Sequence, residues 1–281
     1  MNENYEISSL KNHSFAEIAE CFNVAFSDYF LKTEMNEQRF KSYCLSNHVA
    51  LELSIGAFLN GKMVGFILNA TDTYQNKRVI YDAGTGVIKE ARGEHLLDTM
   101  FDAVIGLCKE QGITHYYLEV LQNNDKALYL YKNRGFQICR NYNLYMGDFV
   151  APFNPNEIVV KQLEPDDTLN LQAMYLYEPS FPCTKNTLLR NISLYNIYHY
   201  YIHEKKVAYV IATKTNHVVM QLGCLKGNEH QLESLLGYIS QFSHNLSIFN
   251  VDDSCTFLVD SLANHHLTLY AKQYEMYYEI K

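Results

Sequence analysis

The sequence predicts an α/β (α+β) protein built as two tandem domains, and three observations carry that expectation. Segments of helical and of strand periodicity alternate along the first half. A strand, a polar turn and a short helix follow one another without a break between Leu118 and Phe136. The same order of elements then recurs in the second half, with the chemistry-bearing residues replaced.

From Phe15 to Phe26, the residues Ile18, Ala19, Phe22 and Ala25 or Phe26 fall on one helical side, and Phe40 to Tyr43 suggests another short helix. Ser54 to Leu59 and Lys62 to Thr71 read as strands joined by Asn60-Gly61, the strongest two-residue hairpin signal in the chain. Arg78 to Ile88 reads as the next strand, and Lys89 to Leu107 as a loop followed by a helix. Leu118 and Val120 alternate around Glu119 as a buried strand does, while Asn123, Asn124 and Asp125 supply turn chemistry and an N-cap. Ala127, Leu130 and Tyr131 share a helical face, and Gly135 can take the left-handed conformation that ends a helix before Phe136. Gln137 to Met146 closes the first copy as a strand.

In the second half, Gly86-Val87-Ile88-Lys89 recurs as Gly223-Cys224-Leu225-Lys226, and Glu94-His95 as Glu229-His230 on a loop two residues shorter. Aligning Val120 with Val251 without gaps places Cys255 at the Asn124 position, Leu262 at Tyr131, His266 at Gly135 and Leu267 at Phe136. A final strand is expected around Leu269 to Ile280. Pro152, Pro155, Pro165, Pro179 and Pro182 all fall at or soon after the junction. The expected domains are therefore residues 1–148 and 158–281 with a linker at 149–157, which suits a chain of 281 residues.

The Leu118–Phe136 segment resembles the C-terminal motif of the GNAT acyl-CoA N-acetyltransferases: Leu-Glu-Val, three residues, Asn, two residues, Ala, two residues, Leu-Tyr, three residues, Gly-Phe. Every one of those positions matches. Upstream, Arg92-Gly93-Glu94-His95-Leu96-Leu97 resembles the family's phosphate loop, Arg/Gln-x-x-Gly-x-Gly/Ala. It keeps the Arg and the glycine beside it, but places His95 and Leu97 where small residues are expected. The resemblance covers about the first 148 residues. It implies a mixed, mostly antiparallel sheet flanked by helices in each copy, acetyl-CoA as co-substrate and an amine attacking the thioester directly. The second copy, lacking the Arg-Gly and the Asn and Tyr equivalents, is expected to be degenerate.

The resemblance also implies roles. Asn124 falls on the pantetheine arm, with Ala127 beside the cofactor, and Tyr131 lies near the sulfur as proton donor to the departing thiolate. Gly86, Val87 and Ile88 fall where the pantetheine pairs with splayed backbone, and the Val87 N–H is the candidate oxyanion donor. Arg92, Gly93, Glu94, His95 and Leu96 fall at the helix N-terminus that holds a pyrophosphate. Some positions have two readings. Tyr131 also reads as a core aromatic in a chain with 23 Tyr. His95 can crowd the phosphates, donate a ring N–H to them, or stay solvated, and Glu94 suits the helix dipole. An alkylammonium of pKa about 10.4 must lose its proton. Asp82, following Tyr81, is the first choice of base, though it also reads as a carboxylate paired with Lys77 or Arg78, and Glu119 competes. Asp28, followed by Tyr29 and Phe30, reads either as a cation-holding site or as an N-cap.

Seven cysteines with no close pairs build no disulfide frame, so a reducing cytoplasm is expected. No metal is expected; His265-His266 and His199 with His203 are the nearest approximations to ligand spacing. A formal charge of −8, split evenly between the halves, disfavours nucleic acid. No apolar run approaches the roughly 18 residues of a membrane span, and Met1 to Ser9 shows no signal-peptide pattern. The partner is expected to be a small-molecule or peptide amine, with its identity and the oligomeric state left open. The altered phosphate loop keeps an alternative alive, a catalytically silent protein that binds coenzyme A or a small amine.

Overall fold

The computed structural model describes residues 5–28, 34–93, 95–243 and 245–281. They form two compact units, residues 1–118 with 277–281 and residues 119–276. These are units of packing, and they divide the chain at places other than the repeat junction expected at residues 149–157.

The first unit opens with β1 (Glu6–Ser9), followed by α1 (Phe15–Ala25) and α2 (Glu37–Ser46). Both helices start at side-chain caps, Ser14 accepting from the Glu17 N–H and Asn36 from the Arg39 N–H. The second helix is longer than the Phe40–Tyr43 signal because Asn36 caps it four residues earlier. β2 (Ile55–Leu59) and β3 (Lys62–Tyr74) form the expected hairpin, with Asn60 and Gly61 both at positive φ. A second tight turn at Gln75 and Asn76, again both at positive φ, joins β3 to β4 (Lys77–Val87). Ile18, Phe40, Phe66 and Leu68 form the buried core, with Phe22 stacked on Phe66 at 5.8 Å.

After β4 comes α3 (Leu96–Glu110), which buries Met100, Phe101, Val104 and Cys108 at the spacing of one helical face. β5 (His115–Leu121) begins in the first unit, parallel to β4 from Val79 to Tyr81, and continues into the second. The chain terminus completes the first unit. Ile280 donates its N–H to Thr114 O at 2.8 Å, and Tyr278 meets Phe101 edge-on.

The second unit holds α4 (Asp125–Asn133) and β6 (Gln137–Gly147), then β7 (Ile158–Gln162), α5 (Lys185–Arg190), β8 (Tyr195–Ile202) and β9 (Lys205–Thr213). It ends with β10 (Val218–Cys224), α6 (Glu229–Ser240), β11 (Leu246–Asp252), α7 (Thr256–Asn264) and β12 (Thr268–Glu279). Its strand order is β5-β12-β6-β11-β10-β9-β8-β7. The last strands are thus exchanged. β6, from the first copy, pairs antiparallel with β11 of the second, and β12 lies between β5 and β6. Leu232, Leu235, Leu236, Val251, Leu258 and Leu262 line the core below them.

The repeat read from sequence is borne out in registers. Gly86 on β4 lies opposite Phe66, and Gly223 on β10 opposite Tyr209. In each copy a Cβ on the glycine would come within 3 Å of that ring. Ile88 and Leu225 make matching bonds to Val64 O and Val207 O. Ala83 is an extra residue in the β3–β4 ladder, and Met220 is the extra residue at the corresponding place in β9–β10.

Candidate functional site

The bulge at Ala83 organises the candidate residues of the first unit. The β4–β5 ladder ends at Tyr81, and the bulge turns β4 away from that direction just beyond it. Three side chains fix the bend. Asp82 accepts from the Gly84 N–H at 2.8 Å and the Thr85 hydroxyl at 2.7 Å, while the Tyr43 hydroxyl donates to Ala83 O. Opposite Asp82, the fully buried Asn69 accepts from the Tyr116 hydroxyl and donates to Leu53 O. Nearby on the same strand, Lys77 reaches His115 and Arg78 reaches Gln111.

Beyond the bulge, the Ile88 N–H donates inward to Val64 O at 2.9 Å. Strand alternation therefore turns the Val87 N–H and C=O to the opposite edge. Arg92 Nε caps that carbonyl at 3.0 Å. The Ile88 N–H is thereby committed to β3. Gly86 is required where it stands, since a Cβ there would lie 2.7 Å from the Phe66 ring.

Arg92 turns back toward α1. Its guanidinium holds Asp28 at 2.6 and 3.0 Å and Ala25 O at 2.9 Å. This corrects the reading of Asp28 as a cation-holding residue, because Arg92 already supplies the countercharge and holds its carboxyl below the usual range. Tyr29 and Phe30, like Glu94 in the phosphate loop, lie outside the described residues.

Gly93 has φ 91° with open space where a Cβ would be. His95 is the N-cap of α3 at φ 53°, a left-handed conformation that Asn, Asp and His tolerate better than other side chains. Its exposed ring reaches Asp98 at 3.2 Å and leaves the helix start without a side-chain cap. The N–H groups of Leu96 and its successors are therefore available to an anion.

In the second unit, Asn124 caps α4 by accepting the Ala127 N–H at 3.2 Å. Its Nδ2 has no partner among the described residues. Tyr131 is half-buried, edge-on to Phe136 at 5.5 Å, and Gly135 ends the helix at φ 92° as expected. Glu119, placed behind Asp82 on sequence grounds, is a strongly perturbed group. Burial first, then the Glu275 carboxylate, push it up to about 8 against the hydrogen bonds from Asn250 and Gln273. Only the tertiary neighbours supply that signal.

The second copy carries the same bend filled from within. β10 and β11 pair in parallel only at Val218 and Val219. Beyond that point Tyr175 bridges to Gly223, Gln221 Nε2 bonds Cys183 O at 2.9 Å, and a cavity of about 10 Å³ remains between Tyr177, Ser180, Gln221 and Asn250. A Cβ on Gly223 would lie 2.2 Å from Met174 O.

Residues 15–136 match the model of the Acetyltransferase (GNAT) family. That match covers the elements from α1 to the end of α4. A GCN5-related N-acetyltransferase from Sphaerobacter thermophilus is similar at 12% identity and TM-score 0.68, over 99% of this chain and 96% of that one. A tandem GNAT protein from the clavulanic acid biosynthesis pathway is similar at 9% identity and TM-score 0.67, over 99% of both. A GCN5-related N-acetyltransferase from Anabaena variabilis is similar at 14% and 0.62, over 99% of this chain and 73% of that one. At these identities the likeness is one of fold. No curated protein matches the sequence. Among the described residues no His, Cys, Asp and Glu group could hold a metal, and no helix is long and apolar enough to cross a membrane.

Proposed function

We propose that this protein is a GNAT acetyltransferase that moves an acetyl group from acetyl-CoA to an amine by direct attack, using only its first copy. One observation carries the reading: the bend at Ala83 and the complete Asn124–Tyr131 motif belong to the first copy, whereas the matching bend at Met220 is filled by residues Tyr175 to Cys183. The uncapped start of α3, the open space at Gly93 and the free amide of Asn124 suit the phosphates and the pantetheine amides of the co-substrate.

In the reaction the amine nitrogen bonds to the thioester carbonyl carbon and the carbon–sulfur bond breaks. The Val87 N–H, turned outward, is assigned to the carbonyl oxygen, and Tyr131 gives its proton to the leaving thiolate. Glu119 is assigned the proton lost by the amine, because a carboxyl held near 8 is matched to work at neutral pH. Asp82, hydrogen-bonded into the bulge, is the alternative base. Calorimetric titration with acetyl-CoA and with coenzyme A, followed by thiol-release screening over a panel of amines, tests the reading. Binding without thiol release for any amine would replace the enzyme with a binding protein.

A further inference from the structure

Glu119 is held from the copy that has lost its own chemistry. Asn250 on β11 occupies the register of Glu119 when Val251 is aligned with Val120. It is 7% exposed and lies between Ile248 and Val251, where the β6–β11 ladder shifts register, at φ 58°. A left-handed residue inside a strand persists only where its surroundings hold it, and a bulge re-aims the side chain.

The aim here is at Glu119. Asn250 Nδ2 lies 3.1 and 3.0 Å from the two Glu119 oxygens and 2.7 Å from the buried Ser180 hydroxyl. Gln273 on β12 donates to Glu119 Oε2 at 2.7 Å and to Asn250 Oδ1 at 2.5 Å. Ser180 belongs to the segment that fills the second copy's bend, so that filling also buttresses Asn250. The charged groups around Glu119 are Glu275 on β12 and Arg140 on β6, with Cys183 near. Arg140 is itself bound by Glu275 at 2.8 and 2.9 Å and lies 3.8 Å from Asp252.

We propose that Asn250 is a positioning residue for acyl transfer: the degenerate copy supplies it, with Gln273, to hold the Glu119 carboxylate in one orientation and to stabilise its ionised form. This rests on Glu119 serving as the base. Its experimental test uses Asn250→Gly, which suits φ 58° and so preserves the strand, and Asn250→Asp, which keeps the shape but faces Glu119 with a second carboxylate.

The readouts are the pH profile of kcat, acetyl-CoA affinity, and the titration of the Glu119 carboxyl by carbon-13 NMR of glutamate-labelled protein, assigned with Glu119→Gln. In Asn250→Gly the Glu119 titration and the acid limb of kcat are expected to move up together by about one pH unit, a tenfold loss of ionised base below it. Asn250→Asp should move both further, with acetyl-CoA affinity unchanged in each. A folded Asn250→Gly protein whose Glu119 titration stays in place overturns the proposal, as does a kcat limb that moves without it. If no amine supports thiol release in the parent protein, the acyl-transfer reading fails, and the NMR titration still decides whether Asn250 sets the state of Glu119.

Discussion

Tyr131 meets Phe136 edge-on, so Tyr131→Phe keeps that packing and deletes only the hydroxyl. Turnover is expected to fall by about 10²- to 10⁴-fold, the usual worth of general acid assistance, with acetyl-CoA affinity nearly unchanged. Thiol release and calorimetry check this, and unaltered turnover would return Tyr131 to packing alone. His95→Gly addresses the departure in the phosphate loop. It places glycine at φ 53° and removes an exposed ring from the start of α3, so a higher melting temperature and tighter acetyl-CoA binding are expected together. A gain of about 1.4 kcal/mol reads as a tenfold lower Kd. Weaker binding in a more stable variant would mean that the ring donates to the phosphates. Glu119→Gln should separate stability from activity. The folded chain keeps the Glu119 proton up to about 8, while the unfolded chain releases it near 4.5, so this group lowers stability as pH rises between those values. The glutamine variant is expected to melt higher than its parent at pH 8, to differ little at pH 4.5, and to turn over more slowly.

At the scale of elements, the two bends are the same device put to different uses. Each β-bulge turns a strand out of a parallel pair, at Ala83 and at Met220. In the second copy the exposed edge is satisfied by the chain itself, through Tyr175 to Gly223 and Gln221 to Cys183. One acetyl-CoA should therefore bind per chain, and a calorimetric stoichiometry near two would contradict the assignment. Gly223→Ala should loosen that filling, because its Cβ would meet the Met174 carbonyl at 2.2 Å, with backbone on the other side of the contact. Overpacking of this kind costs about 1–3 kcal/mol, measurable as a lower denaturation midpoint.

Across the whole molecule, the exchange of terminal strands ties the halves of the sequence to one another. A fragment of residues 1–148 would lack β12 beside β5 and β11 beside β6, and with them the Tyr278 and Ile280 contacts of the first unit. It is expected to be unfolded or aggregated by circular dichroism and light scattering, although it contains the full family match. His199 gives the chain an acid limit. It is fully buried, neither ring nitrogen has a hydrogen-bond partner among the described residues, and burial, followed by Lys206, lowers it to about 4 against the Asp167 carboxylate 3.7 Å from Nε2. The unfolded chain takes up that proton near 6.5 while the folded chain refuses it, so stability is lost as pH falls from about 6.5 toward 4. His199→Phe should flatten part of this loss in urea melts at pH 7 and 4.5.

The sequence alone determined much of this protein. Helical and strand periods marked most elements to within a few residues, because each amphipathic segment must show its buried face in its own spacing. Asn60-Gly61, Gly135 and the Asn124 cap were legible because their backbone conformations require particular residue types over a few positions. The Gln75–Asn76 turn carried no comparable signal, since Gln is not a turn marker. What lay beyond local reach was decided by tertiary structure. No pattern in β6 or β12 announced that they would change places, because strand partners are chosen by surfaces more than a hundred residues apart in sequence. The pairing of Arg92 with Asp28 spans 64 positions, and the bonds from Asn250 and Gln273 to Glu119 span 131 and 154. A carboxylate's identity is written in the sequence, but its proton affinity is set by whichever dipoles and charges the fold brings beside it.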